Sequence, residues 1–329
     1  MIPERPDTRK TAVRLPTVAD VRAAAARIGP YVHRTPVFTS AYLDRESGAR
    51  LFFKAENLQK VGAFKMRGAT NFVLQLSAAE ARRGVVTHSS GNHGQAVAAA
   101  ARARGVPATV VMPRSSSAVK RAAVAGYGAR VELCADGDAA RAAAAARIQA
   151  ERGATLIHPY GHPRIVAGQG TLALELFEQV AALDAVVAPV GGGGCLSGIS
   201  VAARGLHPDI AVFGAEPAAA DDAARSLAAG RIIPVEHPAT VADGLRTSLA
   251  PLTFALLRTG RAAILTVEEA DIIAAMRLIW TRMKLIVEPS AAITLAAVLA
   301  HPAPFRGRRV GLVLTGGNVD LDRLPWAPD

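Results

Sequence analysis

Gly84-Val-Val-Thr-His88-Ser-Ser-Gly91-Asn-His-Gly94-Gln-Ala-Val-Ala-Ala-Ala-Ala-Arg-Ala-Arg104-Gly-Val-Pro-Ala108-Thr-Val-Val-Met112 is the stretch on which the fold turns. Val85-Val86-Thr87 is a short apolar, β-branched run bounded by glycine and a polar turn, which predicts a buried strand. Gly94 to Arg104 is rich in alanine and ends at Gly105, which predicts a helix with a glycine stop. Ala108 to Met112 is the next strand. Two strands joined through a helix cannot form a hairpin; they lie parallel, with a right-handed crossover.

The alternation continues on both sides. Ser117 to Ala125 is expected as helix, Arg130 to Leu133 as strand, Asp138 to Arg152 as helix and Thr155 to His158 as strand. A second series starts near Gly168. It comprises a helix at about Thr171 to Ala182, the strand Ala185 to Pro189, a glycine run, a helix to about Arg204 and the strand Val212 to Ala215. Ile272 to Met283 and Ala291 to Leu299 then read as helices and Val310 to Leu314 as a strand. Thr17 can cap a helix reaching Ile28, where Gly29-Pro30 stops it. The expected class is α/β, with two open, mostly parallel twisted sheets flanked by helices. Residues 84–157 form the expected small domain and 17–83 with 158–329 the large one. Residues 1–16 are a flexible lead. In such sheets ligands lie beyond the carboxyl ends of the strands.

The 329 residues carry 38 basic and 27 acidic side chains, a formal charge of +11. The basic residues are scattered and aromatics make up only 5%, so no stacking surface for nucleic acid is expected. The first residues lack an apolar stretch of the secretory kind, and no apolar run reaches the roughly 18 residues of a membrane span. Two cysteines, Cys134 and Cys195, cannot build a zinc site alone and suit a reduced, cytoplasmic protein. Only six of the 38 basic residues are lysine, and three of those, Lys54, Lys60 and Lys65, fall together. Lysine here is not a generic surface cation, which raises the standing of each as a nucleophile.

Three segments carry chemistry. Asp184-Ala-Val-Val-Ala-Pro-Val190 runs into Gly191-Gly192-Gly193-Gly194-Cys195-Leu196-Ser197-Gly198 and then a helix. Converging N–H groups at a helix start suit an anion. Neither the dinucleotide fingerprint nor the P-loop frame fits, so a single phosphate monoester is the reading preferred over a tight turn alone. Ser89-Ser90-Gly91-Asn92-His93-Gly94 puts hydroxyls, a carboxamide and N–H groups at another helix start. That is more than an N-cap needs, and it suits a carboxylate. The third segment, Lys54-Ala-Glu-Asn57-Leu-Gln-Lys-Val-Gly62-Ala-Phe64-Lys65-Met-Arg67-Gly68, taken alone would be a basic loop.

Together these segments resemble the fold-type II pyridoxal-phosphate enzymes, the serine/threonine dehydratase and serine racemase family, whose fold is that of the tryptophan synthase β chain. The likeness runs from about Val32 to Asp320. It implies that Lys65 joins pyridoxal 5'-phosphate covalently through its amine, with Phe64 against the ring. Gly191, Gly192, Gly193 and Gly194 would cradle the phosphate, and Asn92 would bond the phenolic oxygen. Ser89, Asn92 and His93 would hold the substrate carboxylate, and Ser90 would face the opposite side of the substrate, as in the racemase branch. Leu314-Thr315-Gly316-Gly317-Asn318 implies Thr315 at the pyridine nitrogen, where many members have serine. Glu216-Pro-Ala-Ala-Ala220-Asp221-Asp222 is similar to the racemase-like cation site. Glu216, the Ala220 carbonyl and Asp222 would there ligate Mg2+, Mn2+ or Ca2+.

The implied reaction is α,β-elimination from a small β-hydroxy amino acid, serine, threonine or 3-hydroxyaspartate, giving an oxo acid and ammonia. Serine racemisation is the alternative, and β-replacement of the cysteine synthase type a more distant one. A non-enzymatic basic binding protein is the remaining class. Tyr160-Gly161-His162-Pro163-Arg164 is a candidate for reading an acidic side chain, although a surface role suits it better. The chain ends where the catalytic region of this family does, so no regulatory amino-acid-binding domain is expected. A homodimer acting on a small amino acid, with no membrane or nucleic-acid partner, completes the expectation.

Overall fold

The computed structural model describes residues 14–326, apart from Ser90, Ser117 and His237 and the side chains of Val119 and Asp138. Most of the expected lead, and with it any test of its flexibility, lies outside the described residues. The strands are β1 (Val37–Phe38), β2 (Arg50–Lys54), β3 (Val85–His88), β4 (Ala108–Pro113), β5 (Arg130–Cys134), β6 (Thr155–Leu156), β7 (Ala185–Pro189), β8 (Ala211–Pro217), β9 (Ala263–Val267) and β10 (Arg309–Val313).

They form two sheets, β1-β2-β10-β7-β8-β9 and β5-β4-β3-β6. Every pairing is parallel except β1 with β2, so the expected α/β architecture is the one found. Both central strands of the larger sheet are apolar apart from Arg309 at the start of β10, as burial on both faces requires. Ala185, Val186, Val187, Ala188, Val310, Leu312 and Val313 are all fully buried, and so is almost all of the helix Pro289–Ala300 packed beside them.

The expected helix from Thr171 in fact begins at Pro163 and runs to Gln179. Proline suits a first helical position, and the His162 side chain accepts from the Arg164 N–H at 3.1 Å to close the start. Gly168 and Gly170, just before the expected helix start, lie inside the helix and serve close packing. A Cβ on Gly168 would lie 2.6 Å from Gly68 Cα in the helix Lys65–Val73. One on Gly170 would lie 2.7 Å from the Gly198 carbonyl in the helix Gly194–Leu206. Backbone thus meets backbone on both sides of one helix.

A buried ion network sits beneath these helices. Arg67, fully buried, forms bonds of 2.7 and 2.8 Å to the Glu56 carboxylate and 2.7 and 2.9 Å to that of Glu175. Lys54, also fully buried, reaches Glu175 at 2.6 Å, the Thr35 carbonyl at 2.8 Å and Gln179 at 2.9 Å. Two cations face two carboxylates, and the donors have their acceptors, which makes burial tolerable.

Candidate active site

Lys65 opens the helix Lys65–Val73 and its amine is buried. Nζ donates to the Pro159 carbonyl at 3.1 Å and lies 5.1 Å from the centre of the Phe64 ring. Burial brings the amine down to about 8. A Cys195 thiolate would oppose this, but burial pushes that thiol up to about 12 and keeps it protonated, which leaves Glu288 as the acidic neighbour. A lysine near 8 holds an appreciable unprotonated fraction at neutral pH and can act as nucleophile or base.

Facing it is the glycine loop between β7 and the helix Gly194–Leu206. All four glycines are buried, and Gly193 takes φ +82°, a conformation that glycine adopts freely. Their lack of side chains has a packing cause as well. A Cβ on Gly192 would be 2.4 Å from the Tyr160 ring, one on Gly191 2.9 Å from Leu245 Cα and one on Gly193 2.7 Å from Leu249. No hydrogen bond to another described residue uses the N–H of Gly191, Gly192 or Gly193, and no side chain caps the helix. Buried N–H groups without acceptors at a helix start call for an anion. The loop therefore fits a phosphate.

The other walls come from far apart in the chain. Asn92 begins the helix Asn92–Arg104 at the carboxyl end of β3, and no described side chain caps that helix. Its Nδ2 donates to both Glu288 oxygens at 2.9 and 3.1 Å, and its Oδ1 accepts from Asn318 at 2.9 Å. Burial, then Asp243, raises Glu288 to about 7, while the Asn92 bond opposes. Glu288 had no signal in the sequence beyond a carboxylate before a proline that starts a buried helix.

Thr315 is buried, and its carbonyl accepts from the Phe64 N–H at 3.0 Å, tying β10 to the lysine loop. Ser89 Oγ accepts from the Gly91 N–H at 3.3 Å. Ser90 lies outside the described residues. His93 has Nε2 at 3.2 Å from the Ile157 carbonyl and Nδ1 buried without a partner, so Nε2 carries the proton. Its ring has no N–H left for a carboxylate, and its backbone N–H at the helix start is the group suited to one.

Four histidines near the site are held below the ordinary 6.5, in each case first by burial: His88, His93, His158 and His162, the last two at about 4. The unfolded chain therefore takes up protons first. The stability these groups contribute is complete above 6.5 and lost as pH falls through the folded values. Acid unfolding monitored by circular dichroism is expected to set in below pH 6.5 and progress toward about 4. A flat stability across that window would contradict the burial.

Glu216, Ala220 and Asp222 are brought together at the end of β8, each fully buried. Glu216 accepts from the Ala223 and Ala224 N–H groups at 2.8 and 3.0 Å, and Asp222 Oδ2 from the Leu249 N–H at 3.3 Å. Asp222 Oδ1 is buried with no partner. Burial raises the two carboxyls to about 8 and about 6. Two buried carboxyls with an unused oxygen fit a hard cation. No cluster of three His, Cys, Asp or Glu with metal-site geometry occurs among the described residues.

Arg164 turns away from Lys65 to stack over Phe72 at 5.4 Å and line an outer cleft with Arg14 and Arg27. The arginine on the site side is Arg141, in the helix Asp138–Arg152, whose charge acts on His88, Cys134 and Tyr160. The sequence reading passed over it as one arginine among many. No described helix is long and apolar enough to cross a membrane.

The sequence profile of "Pyridoxal-phosphate dependent enzyme" matches residues 28–316. The chain is 50% identical to the beta-hydroxyaspartate dehydratase of Paracoccus denitrificans over 312 residues, covering 95% of this chain and 99% of that one. It is 46% identical to the serine racemase of Dictyostelium discoideum over 314 residues, with 94% and 96% covered. The solved structure of maize serine racemase superposes with a TM-score of 0.92 at 43% identity, covering 94% and 95%.

Proposed function

Because the chain belongs to the pyridoxal-phosphate dependent enzymes, we propose that it is an ammonia-lyase for a β-hydroxy amino acid, with 3-hydroxyaspartate the preferred substrate. The buried Lys65 amine opposite the acceptor-free glycine N–H groups carries the reading. The cofactor supplies an aldehyde for amines and a ring that draws off the electron pair left at Cα.

The residues divide the remaining work. Gly191 to Gly194 would hold the phosphate, Thr315 would offer the pyridine nitrogen a neutral hydroxyl, and Phe64 would pack on the ring. Asn92, held by Glu288 and Asn318, would bond the phenolic oxygen. Ser89, Asn92 and the His93 N–H bind the α-carboxylate at the helix start. Lys65 would take the α-proton, the β-hydroxyl would leave as water with a proton returned to it, and the enamine product would add water and break down to an oxo acid and ammonia. Arg141 gives the second carboxylate of 3-hydroxyaspartate a cationic partner. Ser90, which the family resemblance assigns to the second face of the substrate, would be the route to racemisation, and the racemase relatives keep that as the second reading.

The test is ammonia release from serine, threonine and 3-hydroxyaspartate, with chiral analysis of recovered serine. Arg141→Gln is expected to raise KM for 3-hydroxyaspartate at least about tenfold, the range of one lost charged hydrogen bond, and to leave that for serine little changed. Equal losses on both substrates would remove Arg141 from substrate selection.

Glu216, the Ala220 carbonyl and Asp222 are proposed ligands of Mg2+, and the active species a cytoplasmic homodimer. At a hundredfold excess over its Kd, Mg2+ is expected to stabilise the folded protein by about 2.7 kcal/mol. That appears as a higher thermal midpoint, which Asp222→Asn should abolish. An unchanged midpoint up to millimolar Mg2+ counts against the site.

A further inference from the structure

We propose that His158 is a positioning residue that sets the Lys65 amine and the floor of the glycine loop together, by holding the turn Pro159–Gly161 through its Nδ1. That nitrogen accepts from the Gly161 N–H at 2.8 Å and the Tyr160 N–H at 3.3 Å. The turn delivers two things. The Pro159 carbonyl accepts from Lys65 Nζ at 3.1 Å. Tyr160 presses its ring where a Gly192 Cβ would be, at 2.4 Å, and its Cβ 2.8 Å from where one on Gly194 would be. The imidazole also stands edge-on to the Tyr160 ring, 4.7 Å between centroids at 89°.

Proline has no N–H, so the turn cannot be closed by a bond from its first residue. It is closed instead by a side-chain acceptor, in the way that an Asn or Asp folds the residues that follow it. Nδ1 can accept only when unprotonated, so the proton of the neutral ring sits on Nε2. The surroundings enforce that state. The ring is largely buried, with His88 on β3 at 6.0 Å, Lys65 on the helix Lys65–Val73 and His162 at the start of Pro163–Gln179 all facing it. Burial, then His88, Lys65 and His162, hold it at about 4, and a charged Lys65 would repel an imidazolium there. The acceptor is thus present throughout the neutral range.

The inference rests on Lys65 being the cofactor-bearing lysine. Borohydride labelling of the wild-type holoenzyme checks that first; absence of label on Lys65 would withdraw that assignment before any variant is compared. Two variants then separate acceptor from bulk. His158→Leu fills space without accepting, and His158→Asn restores a side-chain acceptor three bonds from Cα, as Nδ1 is. The readouts are the dissociation constant of pyridoxal phosphate and the pH midpoint of the bound cofactor's visible absorbance.

His158→Leu is expected to weaken cofactor retention at least about tenfold and displace the absorbance midpoint. His158→Asn should stay within about threefold of the parent on retention, with the midpoint kept. Leucine behaving as wild type, or both variants failing alike, would overturn the proposal. If the leucine variant does not fold, nitrogen-15 NMR of the wild-type imidazoles decides the matter. A bare Nδ1 and protonated Nε2 on His158 between pH 5 and 8 are expected, and the opposite tautomer is fatal to the idea.

Discussion

Lys65→Ala is expected to lower ammonia release by on the order of 10^4-fold, the upper range for loss of a positioned base, and to remove the cofactor's visible absorbance band. The size follows from the double duty proposed for one amine, anchoring the cofactor and moving the α-proton. Three of the other described lysines are poorly placed to substitute. Lys54 is engaged by Glu175, Gln179 and the Thr35 carbonyl. Lys120 pairs with Asp243 at 2.7 Å and Lys284 donates to the Thr281 carbonyl at 2.6 Å. Peptide mapping after borohydride reduction gives an independent reading, and an intact absorbance band in the alanine variant would defeat the assignment.

Arg67→Ala is expected to destabilise the fold by about 3–5 kcal/mol, the range for stripping one partner from a buried ion pair. The loss would strand the Glu56 carboxylate, whose side chain is fully buried, and half the support of Glu175. Burial works against the Glu175 carboxylate, and Arg67 and Lys54 together hold it below its usual range. Arg67→Lys should recover little, because one ammonium cannot reproduce four bonds to two carboxylates. Urea unfolding measures both, and a loss under about 1 kcal/mol for alanine would show the network to be dispensable.

The parts of this protein that were legible in its sequence are those with local causes. Strand, turn and helix alternate between Gly84 and Leu156 because each element is short and punctuated by glycine, and the structure places them within a residue or three of expectation. Lys65, the glycine loop and Asn92 were legible because each belongs to a compact segment. Glu288, Arg141 and His158 were not, because each acts through partners distant in sequence. Asn92 meets Glu288 across 196 residues, and nothing in the local pattern of either announces the other. The start of the helix Pro163–Gln179 was missed for a related reason. Gly168 and Gly170 look like local breaks until the neighbouring helices that need them are known. Strands β1, β2 and β9 went unread since none has much periodicity of its own.

Those same two glycines have a consequence for assembly. The helix carrying the amine and the helix below the anion loop are each seated, main chain on main chain, against a single shared rod. Its thickness at Gly168 and Gly170 acts as a gauge block between them, since the nearest approaches at these two glycines are to main-chain atoms, Gly68 Cα and the Gly198 carbonyl. The spacing of amine and anion loop is therefore fixed by main-chain packing, and a larger residue at either glycine would push the two apart.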